Sequence, residues 1–127
     1  MQDQPTPSEL LAAVAAFMRT PVAPEGAPHA AFITRVAANA LDIVRRELES
    51  APAADAEELI RLRDILRSDG DLETLNREFC TQLEAGQLGL ATPGVKDHLW
   101  AVTLAKLAVD QPNYSGYRAA LAERPAD

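Results

Sequence analysis

The stretch His29–Ser50, HAAFITRVAANALDIVRRELES, decides the fold class. Projected at about 100° per residue, its apolar residues fall on one side of a helix and cover about half of the circumference. A face of that width is wider than the apolar stripe of an ordinary surface helix, so this helix should contact neighbours on more than one side. The sequence therefore predicts a long central helix over 29–50.

Proline and glycine separate this stretch from further segments with helical spacing of apolar residues. Thr6–Glu9 and Asp55–Glu58 have the pattern of a capping box, and Thr92–Pro93 is a cap residue followed by proline. The three prolines and one glycine of Thr20–Pro28 predict an extended connection. The remaining helices are predicted to span 7–19, 55–70, 71–85, 92–112 and 113–122. These segments predict an all-α fold, a compact single-domain bundle of five to six helices.

The size and composition of the chain are those of one globular domain. It has 127 residues, of which 47% are apolar and 5% aromatic. This length supports one hydrophobic core and is too short for two. We therefore predict a single helical domain over 1–127, with residues 1–5 and 124–127 frayed.

The charge and the distribution of apolar residues exclude several function classes. The formal net charge is −7, and the few basic residues are scattered, so nucleic acid and anionic membranes are unfavourable partners. No apolar run approaches the ~20 residues of a membrane span, and no secretory leader is recognisable. We therefore predict a cytoplasmic protein. Cys80, the single cysteine, cannot form an intramolecular disulfide and is predicted to be a small buried side chain.

The common catalytic and cofactor motifs are missing from the sequence. It contains no glycine-rich phosphate loop, no nucleophile elbow and no paired metal-ligand spacing. The two histidines, His29 and His98, do not form a recognisable zinc site. We therefore predict no metal and no cofactor, and a non-catalytic protein rather than an enzyme.

Two charged residues interrupt the helical patterns, and Asn39 and Trp100 lie at the margins of apolar faces. Glu47 and Lys106 fall inside apolar arcs, where a lone buried charge is costly. They pair with each other or line a polar pocket, or else they extend their charged ends into solvent. Asn39 bonds to a neighbouring helix or contacts a ligand. Trp100 covers the core or is an interface anchor.

Several stretches resemble a family of small all-helical bacterial proteins of unknown function. They are HAAFITRVAANALDIVRREL at 29–48, LNREFCTQLEAG at 75–86, AKLAVDQPNY at 105–114 and PSELLAAVAAFM at 7–18. The resemblance covers most of the chain and carries no catalytic residue over to it. The recurring positions of the family correspond here to Arg35, Asn39, Glu47, Lys106, Pro112 and Tyr114. All of these except Pro112 are the candidate binding residues.

The resemblance implies an association rather than an activity. Genes of the family often lie beside aminoglycoside-phosphotransferase-like kinases and acyl-CoA dehydrogenases. We therefore expect an accessory or interaction protein that works with one of these enzymes. One alternative is an acyl-type small-molecule binding protein with Lys106, Arg35 or Asn39 at the polar head of the ligand. A second is a small enzyme that uses Glu47 and Lys106, and a homodimer is a further possibility.

Overall fold

The structure is a computed structural model that describes residues 4–18 and 28–123. In these two ranges the regular structure consists of helices, and no residue lies in a strand, so the predicted all-α class is confirmed. Five helices are described: α1 (Pro7–Met18), α2 (Pro28–Leu66), α3 (Leu72–Glu84), α4 (Val95–Asp110) and α5 (Ser115–Ala122).

The long helix α2 continues well beyond its predicted end. It spans 39 residues and includes Pro52, so the predicted break after Ser50 is wrong. Proline lacks an N–H, and Pro52 therefore leaves the carbonyl of Leu48 without its usual helical donor, at a cost of about 3 kcal/mol. The neighbouring alanines, which are the strongest helix formers, favour continuation on both sides of the proline.

The chain divides into two compact units at this point of α2. The N-terminal unit comprises residues 2–50 and the C-terminal unit residues 51–127. In the N-terminal unit the predicted capping box at the start of α1 is confirmed. The Thr6 backbone N–H donates to Glu9 Oε2 at 2.7 Å, and the Glu9 N–H donates to Thr6 Oγ1 at 3.3 Å. Two of the free donors at the start of α1 are therefore satisfied.

The core of the C-terminal unit is built from α2, α3 and α4. Leu62, Leu75, Phe79 and Val95 are each at most 3% exposed. Half-buried side chains pack around them, namely Leu59, Ile65, Leu66, Leu72, Leu83 and Leu88. The connection 67–71 is short and Leu62 and Leu75 share one cluster, so the end of α2 and α3 form an antiparallel hairpin, as predicted.

Several helix ends differ from the sequence prediction. Asp71 caps α3 by accepting the Thr74 N–H at 2.7 Å, and the predicted extent of this helix is confirmed. In contrast, α2 ends before Arg67, which adopts φ = 54°, and not at Gly70. Helix α4 begins after Gly94, at φ = 83°, while the Thr92 hydroxyl accepts the Gly89 N–H at 3.1 Å. These ends therefore lie within a few residues of the sequence signals.

The remaining sequence predictions are decided in part. Most of the extended connection Thr20–Pro28 and the termini 1–3 and 124–127 lie outside the described residues, but Pro28 is the first residue of α2. Cys80 is exposed, so its predicted burial is wrong. Across 4–18 and 28–123, no helix is both long and apolar enough to cross a membrane. The single domain over 1–127 and the cytoplasmic location stay predictions.

Candidate functional site

A buried polar cluster connects the three core helices of the C-terminal unit. Glu58 of α2 and His98 of α4 are each 2% exposed. Asn76 of α3 donates from Nδ2 to Glu58 Oε1 at 2.6 Å and also to the Leu72 carbonyl at 3.0 Å. The His98 ring meets the Phe79 ring edge-on, with centroids 4.9 Å apart. The cluster therefore fixes the positions of α2, α3 and α4 by directional contacts.

Burial and neighbouring charges shift the pKa values of both ionisable groups. Burial raises the pKa of Glu58, but the Asn76 hydrogen bond lowers it, and the net direction is below its ordinary value. Burial lowers the pKa of His98; Glu58 opposes this shift and Arg61 adds to it. His98 Nδ1 is buried and has no hydrogen-bond partner among the described residues. A neutral imidazole is therefore the stable form in the fold.

This cluster is closed to solvent and has a structural role. Two side chains at 2% exposure leave no route for a substrate to reach either group. Nor do the described residues contain a group of three or more His, Cys, Asp or Glu side chains that could hold a metal ion.

The surface of the C-terminal unit carries an open groove of about 700 Å³, the α2–α4–α5 groove. Each of the three helices contributes residues at helical spacing, and the longest row belongs to α4. The lining residues are Ala54, Glu57 and Arg61 from α2; Asp97, Trp100, Ala101, Leu104, Ala105 and Ala108 from α4; and Tyr117, Ala120, Leu121 and Glu123 from α5 and its end.

The groove combines exposed apolar side chains with an acidic rim. Trp100 is 57% exposed and Leu121 is 44% exposed, so large apolar surfaces face the solvent there. Three carboxylates line the groove against a single guanidinium. That guanidinium, Arg61, lies with Nη1 3.6 Å from Glu57 Oε2, and its buried Nε has no hydrogen-bond partner among the described residues. The groove therefore suits an apolar ligand or segment that carries positive charge.

The N-terminal unit carries a second and smaller groove of about 290 Å³, the α1–α2 groove. Its described lining is entirely apolar and includes Phe32 and Val36, which are 56% and 50% exposed. The other lining residues are Leu10, Ala13, Val14, Ile33, Ala37 and Ala40. Such a surface can hold an apolar chain but offers no polar group to orient one.

The candidate residues from the sequence lie elsewhere. Asn39 is exposed and Glu47 half-buried on the N-terminal part of α2, and Lys106 is half-buried on α4. Tyr114 precedes α5, is 52% exposed, and lies so close to Gly116 that a Cβ there would be 2.7 Å from Tyr114 Cε1. The described lining of either groove includes none of these four residues.

Arg35 is the fifth candidate binding residue. The backbone of Arg35 belongs to α2, and its side chain lies outside the described part of the structure. Glu47 belongs to the N-terminal unit and Lys106 to the C-terminal unit, and each of them has an interaction partner. Their mutual pairing stays a prediction. If they pair, the double variant with Glu47→Met and Lys106→Met will be less destabilised than either single variant.

Sequence reasoning missed the residues that carry the buried cluster. The capping-box pattern at 55–58 includes Glu58, but these residues lie inside α2. A signal was present, because Glu58 lies four residues before Leu62 and His98 three residues after Val95, so both share the buried stripe of their helix. Trp100 is 57% exposed, so the expectation that it covers the core is wrong, and its role as an interface anchor stays a prediction.

Comparison with known proteins gives a family but no activity. A family model described as "Domain of unknown function (DUF6285)" matches residues 24–114. The matched range includes α2, α3 and α4, and with them the buried cluster and two walls of the α2–α4–α5 groove. No curated protein and no solved structure matches the chain.

Proposed function

The chain belongs to the DUF6285 family of domains of unknown function, and we propose that it is a non-catalytic accessory or interaction protein whose partner binds in the α2–α4–α5 groove. The observation that carries the proposal is the exposed indole of Trp100 in an open concave surface. Tryptophan is among the residues most enriched at the energetic centres of protein interfaces. Leu121, on the opposite helix of the same groove, extends this apolar contact surface.

The family resemblance supplies the class of partner. We propose an acyl-CoA dehydrogenase or an aminoglycoside-phosphotransferase-like kinase that acts on acyl-CoA or related small substrates. An accessory role is consistent with the geometry of the ionisable groups, since the cluster of Glu58 and His98 is closed to substrate. An interface centred on Trp100 requires only the surface that α2, α4 and α5 already present.

The proposal is tested by capture of partners from the host lysate on the tagged full-length chain. Wild type is compared with Trp100→Ala and with Ile60→Ala as the matched control. Ile60 is 61% exposed on α2 and does not line the groove. We expect wild type and Ile60→Ala to capture one of the two enzymes and Trp100→Ala to lose it, with unchanged helix content by circular dichroism.

Other outcomes of this experiment count against the proposal. Equal capture by Trp100→Ala and wild type would move the interface away from the groove. Recovery of further copies of the chain alone would favour the homodimer. Sedimentation velocity would then show a dimer for wild type that is lost in Trp100→Ala. Recovery of nothing in the presence of both enzymes would reject the accessory role.

The α1–α2 groove supports a second candidate function, the binding of an acyl-type small molecule. Its apolar lining and the half-exposed ring of Phe32 are suited to a hydrocarbon chain. The test is a titration with a fluorescent long-chain fatty acid. We expect Phe32→Ala to weaken binding and Leu48→Ala, which changes a 67% exposed residue outside the groove, to leave binding unchanged. Equal affinities of the two variants would reject this function.

A third candidate, a small enzyme that uses Glu47 and Lys106, requires the two groups at one cleft. The two residues lie in different units and outside the described lining of both grooves. Neither groove therefore favours an enzyme that uses Glu47 and Lys106 over an interaction protein or an acyl-binding protein.

A further inference from the structure

We infer that the segment recognised by the α2–α4–α5 groove is a basic amphipathic α-helix of the partner protein. Its apolar side chains contact Trp100 and Leu121, and its Lys or Arg side chains face Asp97 and Glu123. This inference rests on the proposed function and adds to it the structure and charge of the binding segment. Three features of the groove lead to it.

The first feature is the length of the groove. Its lining residues on α4 run from Asp97 to Ala108, eleven positions along the helix. At about 1.5 Å per residue this distance is about 17 Å, which equals three turns of a bound helix. Small side chains such as Ala101 and Ala105 lie in the same row and allow a second helix to approach the α4 backbone closely.

The second feature is the position of the apolar side chains. Trp100 and Leu104 are four residues apart on α4, and Tyr117 and Leu121 are four residues apart on α5. Two such pairs on two helices form two apolar walls along one groove. An amphipathic helix presents apolar residues at the same three- and four-residue spacing and can therefore contact both walls.

The third feature is charge. Asp97 and Glu123 line the groove, and no ion pair in the described part of the chain involves either carboxylate. Asp97 lies three residues before Trp100, so the carboxylate and the indole are neighbours on one helix face. A lysine or arginine placed there gains both an ion pair and a contact with the ring face. An acidic helix would instead be repelled by these carboxylates.

The experiment uses the full-length chain and two synthetic helical peptides that contain neither tryptophan nor tyrosine. The peptides share their leucine positions, and one carries lysine and the other glutamate on the polar face. Trp100 is the only tryptophan of the protein, so its emission reports occupancy of the groove directly. We expect the lysine peptide to shift the emission to shorter wavelength and to saturate, and the shift to weaken as salt is raised.

Charge-neutral variants test the role of the carboxylates. We expect the variant with Asp97→Asn and Glu123→Gln to bind the lysine peptide about tenfold more weakly, equivalent to ~1.4 kcal/mol. The control with Asp64→Asn and Glu84→Gln removes the same charge from exposed positions outside the groove. We expect this control to bind within about twofold of wild type, because distant surface charges are screened.

The outcomes separate this inference from the proposed function. Equal binding of the two peptides, no binding of either, or equal losses in the two double variants overturns the inference. If capture of the partner still depends on Trp100 in that case, the proposed function stands. If Trp100→Ala captures the partner as well as wild type, the proposed function fails, and the inference fails with it.

Discussion

Asn76 of α3 donates a hydrogen bond to Glu58 of α2 at 2.6 Å, which joins two residues 18 positions apart in the chain. The Glu58 side chain is 2% exposed, so its carboxylate depends on protein partners for the hydrogen bonds that water would otherwise supply. The same amide group bonds to the Leu72 carbonyl in the first turn of α3. This residue pair therefore sets the position of α3 on α2. Because α2 also lines the α2–α4–α5 groove, the pair stabilises part of the structure that forms the groove.

Removal of the Asn76 amide should destabilise the fold strongly. We expect Asn76→Ala to lower the free energy of unfolding by about 2–3 kcal/mol, because a buried carboxylate loses a charge-assisted hydrogen bond. The measurement is chemical denaturation followed by circular dichroism. Gln82→Ala is the control, since Gln82 Nε2 bonds to Glu78 within the same helix at 2.9 Å. We expect Gln82→Ala to lower the free energy of unfolding by about 0.5 kcal/mol. Equal losses in Asn76→Ala and Gln82→Ala would contradict the role of Asn76.

Protonation of His98 should make the stability depend on pH. The pKa of His98 is lowered in the fold, chiefly by burial, so the unfolded chain binds more protons below the ordinary value of 6.5. The free energy of unfolding is therefore highest above that pH and falls as the pH is lowered, by at most about 1.4 kcal/mol per pH unit. Denaturation curves between pH 8 and pH 5 test this, at about 25 °C.

Two histidine variants assign the pH effect. We expect His98→Leu to flatten the dependence in this window, while His29→Leu, which changes an exposed residue of α2, retains it. The lowered pKa of Glu58 has a separate effect, because the stability it contributes is lost only as the pH falls below its ordinary value of 4.5. A wild-type slope that survives His98→Leu would show that another group is responsible.

Gly94 should be sensitive to any side chain. It has φ = 83° immediately before α4, and a Cβ there would lie 3.2 Å from Ile65 Cγ1. We expect Gly94→Ala to lower the free energy of unfolding, measured by thermal denaturation, by about 1–2 kcal/mol. The alanine side chain would have to adopt a left-handed backbone conformation and would also meet a close contact. Gly89→Ala is the control, since no atom lies within 4 Å of its Cβ position. A similar loss in both variants would show that the connection 85–94 tolerates no added side chain, and the effect would then not be specific to Gly94.

Arg67 offers a stabilising substitution. It adopts φ = 54° directly after α2, and its N–H donates to the Arg63 carbonyl at 2.9 Å. Glycine tolerates this left-handed conformation, so we expect Arg67→Gly to raise the free energy of unfolding by about 0.5–1 kcal/mol. Arg67→Ala retains a Cβ and should give no comparable gain. A lower free energy of unfolding in Arg67→Gly would show that the arginine side chain stabilises the fold by more than its left-handed backbone conformation destabilises it.

Local sequence signals predicted the existence of most helices. The capping pattern at Thr6 acts within four residues and appears as hydrogen bonds in the structure, and the helix predicted over 71–85 is present, with Asp71 as its cap. The break expected near Pro52 does not occur, and alanines, the strongest helix formers, flank the proline. Signals of this kind therefore predict that a helix exists more closely than they predict where it ends.

The candidate sites were less accessible to sequence reasoning. Glu58 has the spacing of a capping residue, and only its contact with Asn76 from another helix shows its actual role. The groove combines residues of α2 with α4 and α5, which lie far from that part of α2 in the sequence, and no local pattern records such a surface. For Trp100 the sequence left a core position and an interface anchor open, and the exposed fraction of 57% excludes the core position.

The central claim, that a partner enzyme binds at Trp100, is tested most directly by calorimetric titration of the purified chain into the captured acyl-CoA dehydrogenase or kinase. We expect Trp100→Ala to weaken binding at least about 30-fold, the loss of an interface centre worth ~2 kcal/mol, and Ile60→Ala to match wild type. Equal affinities of wild type and Trp100→Ala would contradict the claim, and so would the absence of binding to either enzyme.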